Sequence, residues 1–236
     1  MEKIMYPVWK ASGLSGDEFR AVLLDQLGPE LLALEPRALR VSVVDSDVAA
    51  ASGLAQGNCR PTMDAIISVW LDSSVYRQPL EAAIEKYVER MAGYLVTESE
   101  PIVNTEHPPQ QGERTYGMAQ VVFLQRPQRL SEQQWLEIWH GSHTQVAIET
   151  QSTFGYRQNV IARPMTYAAP PFDAIIEEHF PPEAMTSQHA FYGAADEVEY
   201  QANLQAMIAS CTRFIDFDKI DVIPTSEYTL KALGQP

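Results

Sequence analysis

The chain carries the same order of elements twice. Leu14-Ser15-Gly16-Asp17-Glu18-Phe19 and Leu130-Ser131-Glu132-Gln133-Gln134-Trp135 each open with Leu-Ser and place an aromatic residue at the same distance. Continued without a gap, this alignment sets Leu39-Arg40-Val41-Ser42-Val43 on Gly155-Tyr156-Arg157-Gln158-Asn159, and both read as strands. Met63-Asp64-Ala65-Ile66-Ile67 then matches Phe172-Asp173-Ala174-Ile175-Ile176, and Tyr94-Leu95-Val96-Thr97 matches Phe214-Ile215-Asp216-Phe217. Four matches in one order at nearly constant separation mark a duplication. Two copies of one unit in 236 residues favour folds in which the copies bury each other.

In the first copy, strands are expected at Lys3–Trp9, Ala38–Val44, Met63–Leu71 and Tyr94–Val103. A helix over Ser15–Leu34 opens with a Ser15 cap and Glu18 at the capping-box position. A second helix, Leu80–Met91, keeps Leu80, Ala83, Ile84, Tyr87 and Met91 on one face. In the second copy, strands are expected at Tyr116–Leu124, Phe154–Ile161, Phe172–Phe180 and Phe214–Val222, with helices at Ser131–Glu149 and Glu197–Ser210. The polar stretch 104–114, with Pro108-Pro109, reads as a linker between a first half, 1–103, and a second, 115–236. Each half is then a βαββαβ, ferredoxin-like unit with two helices on one face of its sheet. The bare faces need cover. The expected fold is therefore α+β, with tandem ferredoxin-like repeats pressed together as one intramolecular barrel.

Charge narrows the partners. With 17 basic and 31 acidic residues, the net charge of −14 argues against nucleic acid and anionic membrane surfaces. No run approaches the ~18 apolar residues of a membrane span. Cys59 and Cys211 stand far apart in no CxxC or Cys/His cluster, so neither a zinc site nor a disulfide framework is expected. The interrupted segment Met1–Pro7 does not read as a signal peptide, and a cytoplasmic location is expected. GxGxxG, P-loop and GxSxG patterns are missing, so no cofactor is expected.

The halves differ in the residues that carry chemistry. The second has His140 and His143 where the first has Leu24 and Leu27, and Glu177 and His179 where the first has Ser68 and Trp70. In Asp64–Leu71, the set Ala65, Ile67, Val69 and Leu71 is uniformly apolar and suits packing under helices. The alternate set, with Ser68 and Trp70, then faces the barrel interior, and the same parity points Asp173, Ile175, Glu177 and His179 inward. There Glu177 is the candidate general base, with His179 as its partner or as a substrate-positioning donor. Trp139 and His143 follow Trp135 at helical spacing and admit two readings, core packing or a place at the site. A 2-His-1-carboxylate set from His140, His143 and Glu177 or His179 is conceivable, but no HExxH pattern supports it, and no metal is expected. His140 is expected at the surface, and His107 and His189 have weak claims. The long segments Ala49–Arg60 and Pro181–Gly193 are candidate lids over the cavity mouths.

The run Leu130-Ser131-x-x-x-Trp135-x-x-x-Trp139-x-x-x-His143 resembles the signature helix of EthD-like proteins, of the dimeric α/β-barrel superfamily. Tyr156-Arg157-Gln158-Asn159 fits that family's second strand, and Phe172-Asp173-Ala174-Ile175-Ile176-Glu177 its third. Ala174 stands where the family usually has Gly, and His179 where it often has an aromatic residue. The resemblance implies a cavity between the two sheets that holds a small hydrophobic, aromatic or phenolic molecule. The expected protein is an EthD-like oxidoreductase or lyase of catabolism or biosynthesis. The missing nucleotide motifs leave it without a nucleotide cofactor, and oxygenation, decarboxylation or isomerisation would each suit a proton-abstracting carboxylate beside an apolar cavity. Glu177, His179 and His143 would manage protons, and Trp139, Tyr156, Asn159, Trp70 and Asp173 would line the substrate. A non-catalytic binding or accessory protein is the alternative, and a further homodimer of the duplicated unit is conceivable.

Overall fold

The computed structural model describes residues 1–58 and 60–234; Cys59 lies outside the described residues. The first half runs β1 (Glu2–Trp9), α1 (16–32), β2 (Ala38–Val43), β3 (Ala65–Leu71), α2 (Gln78–Ile84), a short β4 (Arg90–Met91) and β5 (Tyr94–Ile102). The second runs β6 (Met118–Leu124), α3 (132–150), β7 (Gly155–Pro164), β8 (Ala174–Phe180), a short α4 (Gln188–Phe191), α5 (Glu197–Cys211) and β9 (Ile220–Lys231). Both long helices start with a capping box, Ser15 with Glu18 and Ser131 with Gln134, and this satisfies two otherwise orphaned backbone donors at each start. Both are π-wound at the same repeat position, Val22–Leu27 and Trp139–His143. In α3 the Ser142 and Thr144 hydroxyls donate to the Ile138 and Trp139 carbonyls, which the wider turn exposes.

The strands lie in the order β2-β3-β1-β5 in one half and β7-β8-β6-β9 in the other. The halves join through β2–β9 and β5–β7, so eight antiparallel strands close on themselves. This is the dimeric α/β-barrel fold within one chain, with the helices outside. Closure leaves both sheets without a free edge. One apolar core lies under the first half's helices, around Phe19, Leu27, Ile67 and Val69. Another lies under the second half's, around Trp135, Trp139, Ile176 and Phe214. A third, around Met5, Phe123, Tyr94 and Ile175, fills one end of the barrel interior.

Register corrects three sequence expectations. Leu39 pairs with Val69 and Tyr156 with Glu178, so Leu39 is equivalent to Tyr156 and Arg40 to Arg157, one residue from the ungapped match. The last strand starts at Ile220 rather than Phe214. Leu95 faces Ile4 as Pro224 faces Gln120, so Tyr94 corresponds to Ile223, not Phe214. Phe214 instead closes the turn after α5, where its apolar ring packs in the core. The helix expected to reach Met91 stops at Ile84, and Arg90–Met91 adds to β1 as β4.

Gly117 precedes β6 with φ +76°, and a Cβ there would lie 2.0 Å from the Phe180 carbonyl oxygen. Gly117→Ala is expected to cost at least about 2 kcal/mol, read as a lower urea midpoint, because an L side chain meets both the backbone strain and fixed backbone. An unchanged midpoint would mean that β6 and β8 can separate freely at that end.

Candidate functional site

The expected parity holds. Glu177 and His179 face the barrel interior, but Glu177 is not a free base. Lys3 Nζ donates to Glu177 at 2.8 Å, Asn159 Nδ2 donates to it at 3.1 Å, and Arg157 Nε and Arg40 Nη1 lie 3.5 and 3.7 Å away. Burial opposes its charge, yet Lys3, Arg157 and Arg40 outweigh that and hold Glu177 well below the usual carboxylate range. His179 faces Glu227 rather than Glu177: Nε2 lies 3.0 Å from Glu227 Oε1, off the line of a good hydrogen bond. Glu227 is also ion-paired with Arg157, and Lys3 also reaches Glu98 at 2.5 Å. Trp70 packs its ring under Lys3 and Arg40, at 4.7 and 5.2 Å. Asp173 accepts the Arg126 backbone N–H at 2.7 Å where the chain enters β8. The polar part of the interior is thus an ion cluster of three cations and three carboxylates that ties the two halves together.

The other expected residues face away from it. Trp139, His143 and Tyr156 lie on the opposite, helix-covered side of the second sheet, because adjacent strand residues point to opposite faces. The expected grouping of His143 with Glu177 and His179 is therefore wrong, and β8 separates them. On that helix side lies a cavity of about 380 Å³. Its floor includes one row across three strands, Gln120 of β6 facing Glu178 of β8 and Glu178 facing Tyr156 of β7. Val122, Ile176 and Val222 add an apolar floor, and His143, Met207, Cys211, Phe214 and Phe191 close the roof and sides.

Glu178 dominates this cavity. It is 8% exposed, and its one hydrogen bond to a side chain is a long one of 3.4 Å from Gln120 Nε2. Burial pushes its carboxyl up to about 7, against the smaller opposing effect of the Gln120 contact. The Tyr156 hydroxyl accepts from Trp139 Nε1 at 3.1 Å and Gln158 Nε2 at 3.0 Å; burial and the neighbouring Glu178 push it well above the usual phenol range. His143 Nδ1 sits 2.9 Å from Ser210 Oγ, and burial with Arg213 nearby lowers it to about 4, so the ring is neutral at pH 7. Burial and Glu178 push the Cys211 thiol up to about 12. The corresponding first-half positions, Ile4, Val69, Leu39 and Leu27, are apolar, and Tyr6 stands where the cavity has Val122. The first half shows what the fold needs when this space is filled.

Glu178 is not among the residues the sequence singles out, although a signal is present. Parity sets it with Ala174 and Ile176 on the face that packs under helices, where the first half has Ala65, Ile67 and Val69. A lone carboxylate in such a set is the anomaly. Of the remaining histidines, His140 is exposed, His189 pairs with Glu197 at 3.0 Å, and His107 lies tilted against Tyr116 with ring centroids 3.9 Å apart. Among the described residues no three of His, Cys, Asp or Glu are grouped to hold a metal ion, and no helix is long and apolar enough to cross a membrane.

No family model matches the sequence, and no curated protein matches it. Among solved structures, an anthrone oxidase-like protein is similar over 100% of this chain and 96% of its own, with a TM-score of 0.53 and 8% identity. A chlorite dismutase variant from Candidatus Nitrospira defluvii is similar over 97% of this chain and 91% of its own, with a TM-score of 0.47 and 10% identity. At these identities the likeness is one of fold.

Proposed function

We propose that the chain is an enzyme, in the manner of EthD-like proteins, and that it takes a proton from a small uncharged aromatic molecule held over Glu178. The observation that carries this reading is a buried, weakly paired carboxylate, with a pKa of about 7, in a cavity whose lining mixes apolar side chains with uncharged polar ones. A general base works best when its pKa lies near the working pH. Arg and Lys are not among the residues that line the cavity, so an anionic substrate would meet Glu178 uncompensated. A phenol, or a C–H beside a carbonyl, presents an acidic proton without charge. An anthrone offers both tautomers of that chemistry.

In this mechanism Glu178 takes the proton, and the electron pair of the broken bond moves onto the substrate oxygen. Tyr156, which keeps its proton, stands beside Glu178 as the group that steadies the oxyanion. Neutral His143, anchored on Ser210, orients the ring from the roof. Proton abstraction of this kind opens oxygenation, decarboxylation and isomerisation alike. A binding protein would have no use for a carboxylate that resists ionisation, and this favours the enzyme.

The test is Glu178→Gln with anthrone as substrate. The variant is expected to bind anthrone but to lose about 10²-fold or more in kcat, and wild-type kcat should rise with pH through about 7 as the base ionises. A variant that keeps the wild-type rate would refute the assignment of Glu178.

A further inference from the structure

The walls of the Glu178 cavity do not all come from the second half. Gly53, Leu54 and Gln56 belong to the first, at the end of the 3-10 stretch Ser46–Leu54 and just beyond it. Gly53, Gln56 and Gln188 are the exposed residues of the lining, whereas Glu178, Tyr156 and His143 are buried. The mouth therefore opens between this first-half segment and α4.

The segment is pinned at both ends. At its start the Asp45 carboxylate caps the turn by accepting from Asp47 N at 3.2 Å, pairs with Arg20 at 2.9 Å and accepts from Ser226 Oγ at 2.7 Å. At its end Gln56 exchanges two backbone hydrogen bonds with Val222, of 3.0 and 2.8 Å, and Asn58 Nδ2 donates to the Ile220 carbonyl at 2.7 Å. Between the pins, Val48 and Ala51 pack with Phe180, Ala184 and Phe191, and half-buried Leu54 and Tyr192 lean on the same cluster. Of the segment's residues in the lining, Leu54 presents the largest apolar side chain, and the exposed Gln56 side chain hangs from a fixed backbone.

We infer that residues 46–58 are a lid supplied within the chain, by which the first half closes the site of the second, and that Leu54 and Gln56 select substrates by size at the mouth. This rests on the reading of the Glu178 cavity as the substrate site. The lid also gives the degenerate half a role at that site, since its own equivalent space is filled by Tyr6, Leu27, Leu39 and Val69.

Cys211 lines the same cavity and reports access to it. In a Cys59→Ser background, N-ethylmaleimide labelling of Cys211 at one fixed alkaline pH, followed by mass spectrometry, is expected to be about 5-fold faster in Leu54→Ala and slower in Leu54→Trp, since at fixed pH the slow reaction of this raised thiol varies with how readily the reagent passes the mouth. Anthrone should lose affinity relative to the smaller 2-naphthol by about 10-fold in Leu54→Trp, the scale on which an apolar pocket discriminates by size. Should Leu54→Trp fail to fold, Gln56→Ala keeps the backbone bonds to Val222 and is expected to speed labelling. Equal labelling rates in wild type and the folded variants would overturn the lid. Altered labelling with an unaffected Glu178→Gln turnover would keep the lid and remove Glu178 as the base, so the two failures can be told apart.

Discussion

Glu177→Gln is expected to destabilise the protein by about 3–5 kcal/mol at pH 7, because it removes one partner of a buried ion cluster and leaves the others uncompensated. Lys3, Arg40 and Arg157 would then keep Glu98 and Glu227 as their ion-pair partners in a largely buried interior. High salt should not restore the loss, since buried pairs are poorly screened. The double change Lys3→Met with Glu177→Met should recover most of it, because well-packed apolar residues often replace a buried pair without cost. The cluster also sets the acid limit of stability. Glu177 and Glu227 both titrate below their ordinary value of 4.5, so their contribution is present above that pH and is lost as acid protonates them. Urea midpoints of Glu177→Gln and wild type at pH 7 decide the matter. A difference under about 1 kcal/mol, typical of an exposed pair, would mean that water shields the cluster.

The adjacent residue should behave in the opposite way. Glu178→Gln is expected to stabilise the protein by about 3 kcal/mol above pH 7 and to leave it nearly unchanged below pH 4. Glu178 has a raised value of about 7 in the folded chain against 4.5 for the free group. Between those values the folded state holds a proton that the unfolded state has released, so stability falls as pH rises through this window. A shift of about 2.5 units at roughly 1.4 kcal/mol each sets the size. The same substitution is expected to lower kcat by about 10²-fold or more, so the residue that costs stability is the one proposed to do the chemistry. Chemical denaturation of both proteins from pH 4 to 8 gives the comparison. A difference that stays constant with pH would show that Glu178 titrates normally and that its cavity is wet.

The two neighbours also mark how far sequence reasoning reaches. The repeat, the capped helices at Ser15 and Ser131, and the barrel parity of Ser68, Trp70, Glu177 and His179 are all legible, because local periodicity and duplication express them directly. The segments expected as lids do border a cavity, through Leu54 and Phe191, although it is the helix-side cavity and not the barrel interior. The start of the last strand is not legible, because Phe214 and Ile215 read as strand but pack in the turn before Ile220.

What the chain alone determined is the architecture: two βαββαβ halves, each with a bare sheet face that the other must cover. Only the tertiary structure decided which carboxylate is free. Lys3, Arg40 and Arg157 lie 174, 137 and 20 residues before Glu177; the β7–β8 pairing sets Arg157 opposite it and barrel closure brings Lys3 and Arg40 across, which leaves it ionised and occupied. Glu178, one residue on, points to the helix side, where no cation among the described residues answers its charge. A pKa depends on burial and on charges within a few ångströms, and neither is written in the local sequence.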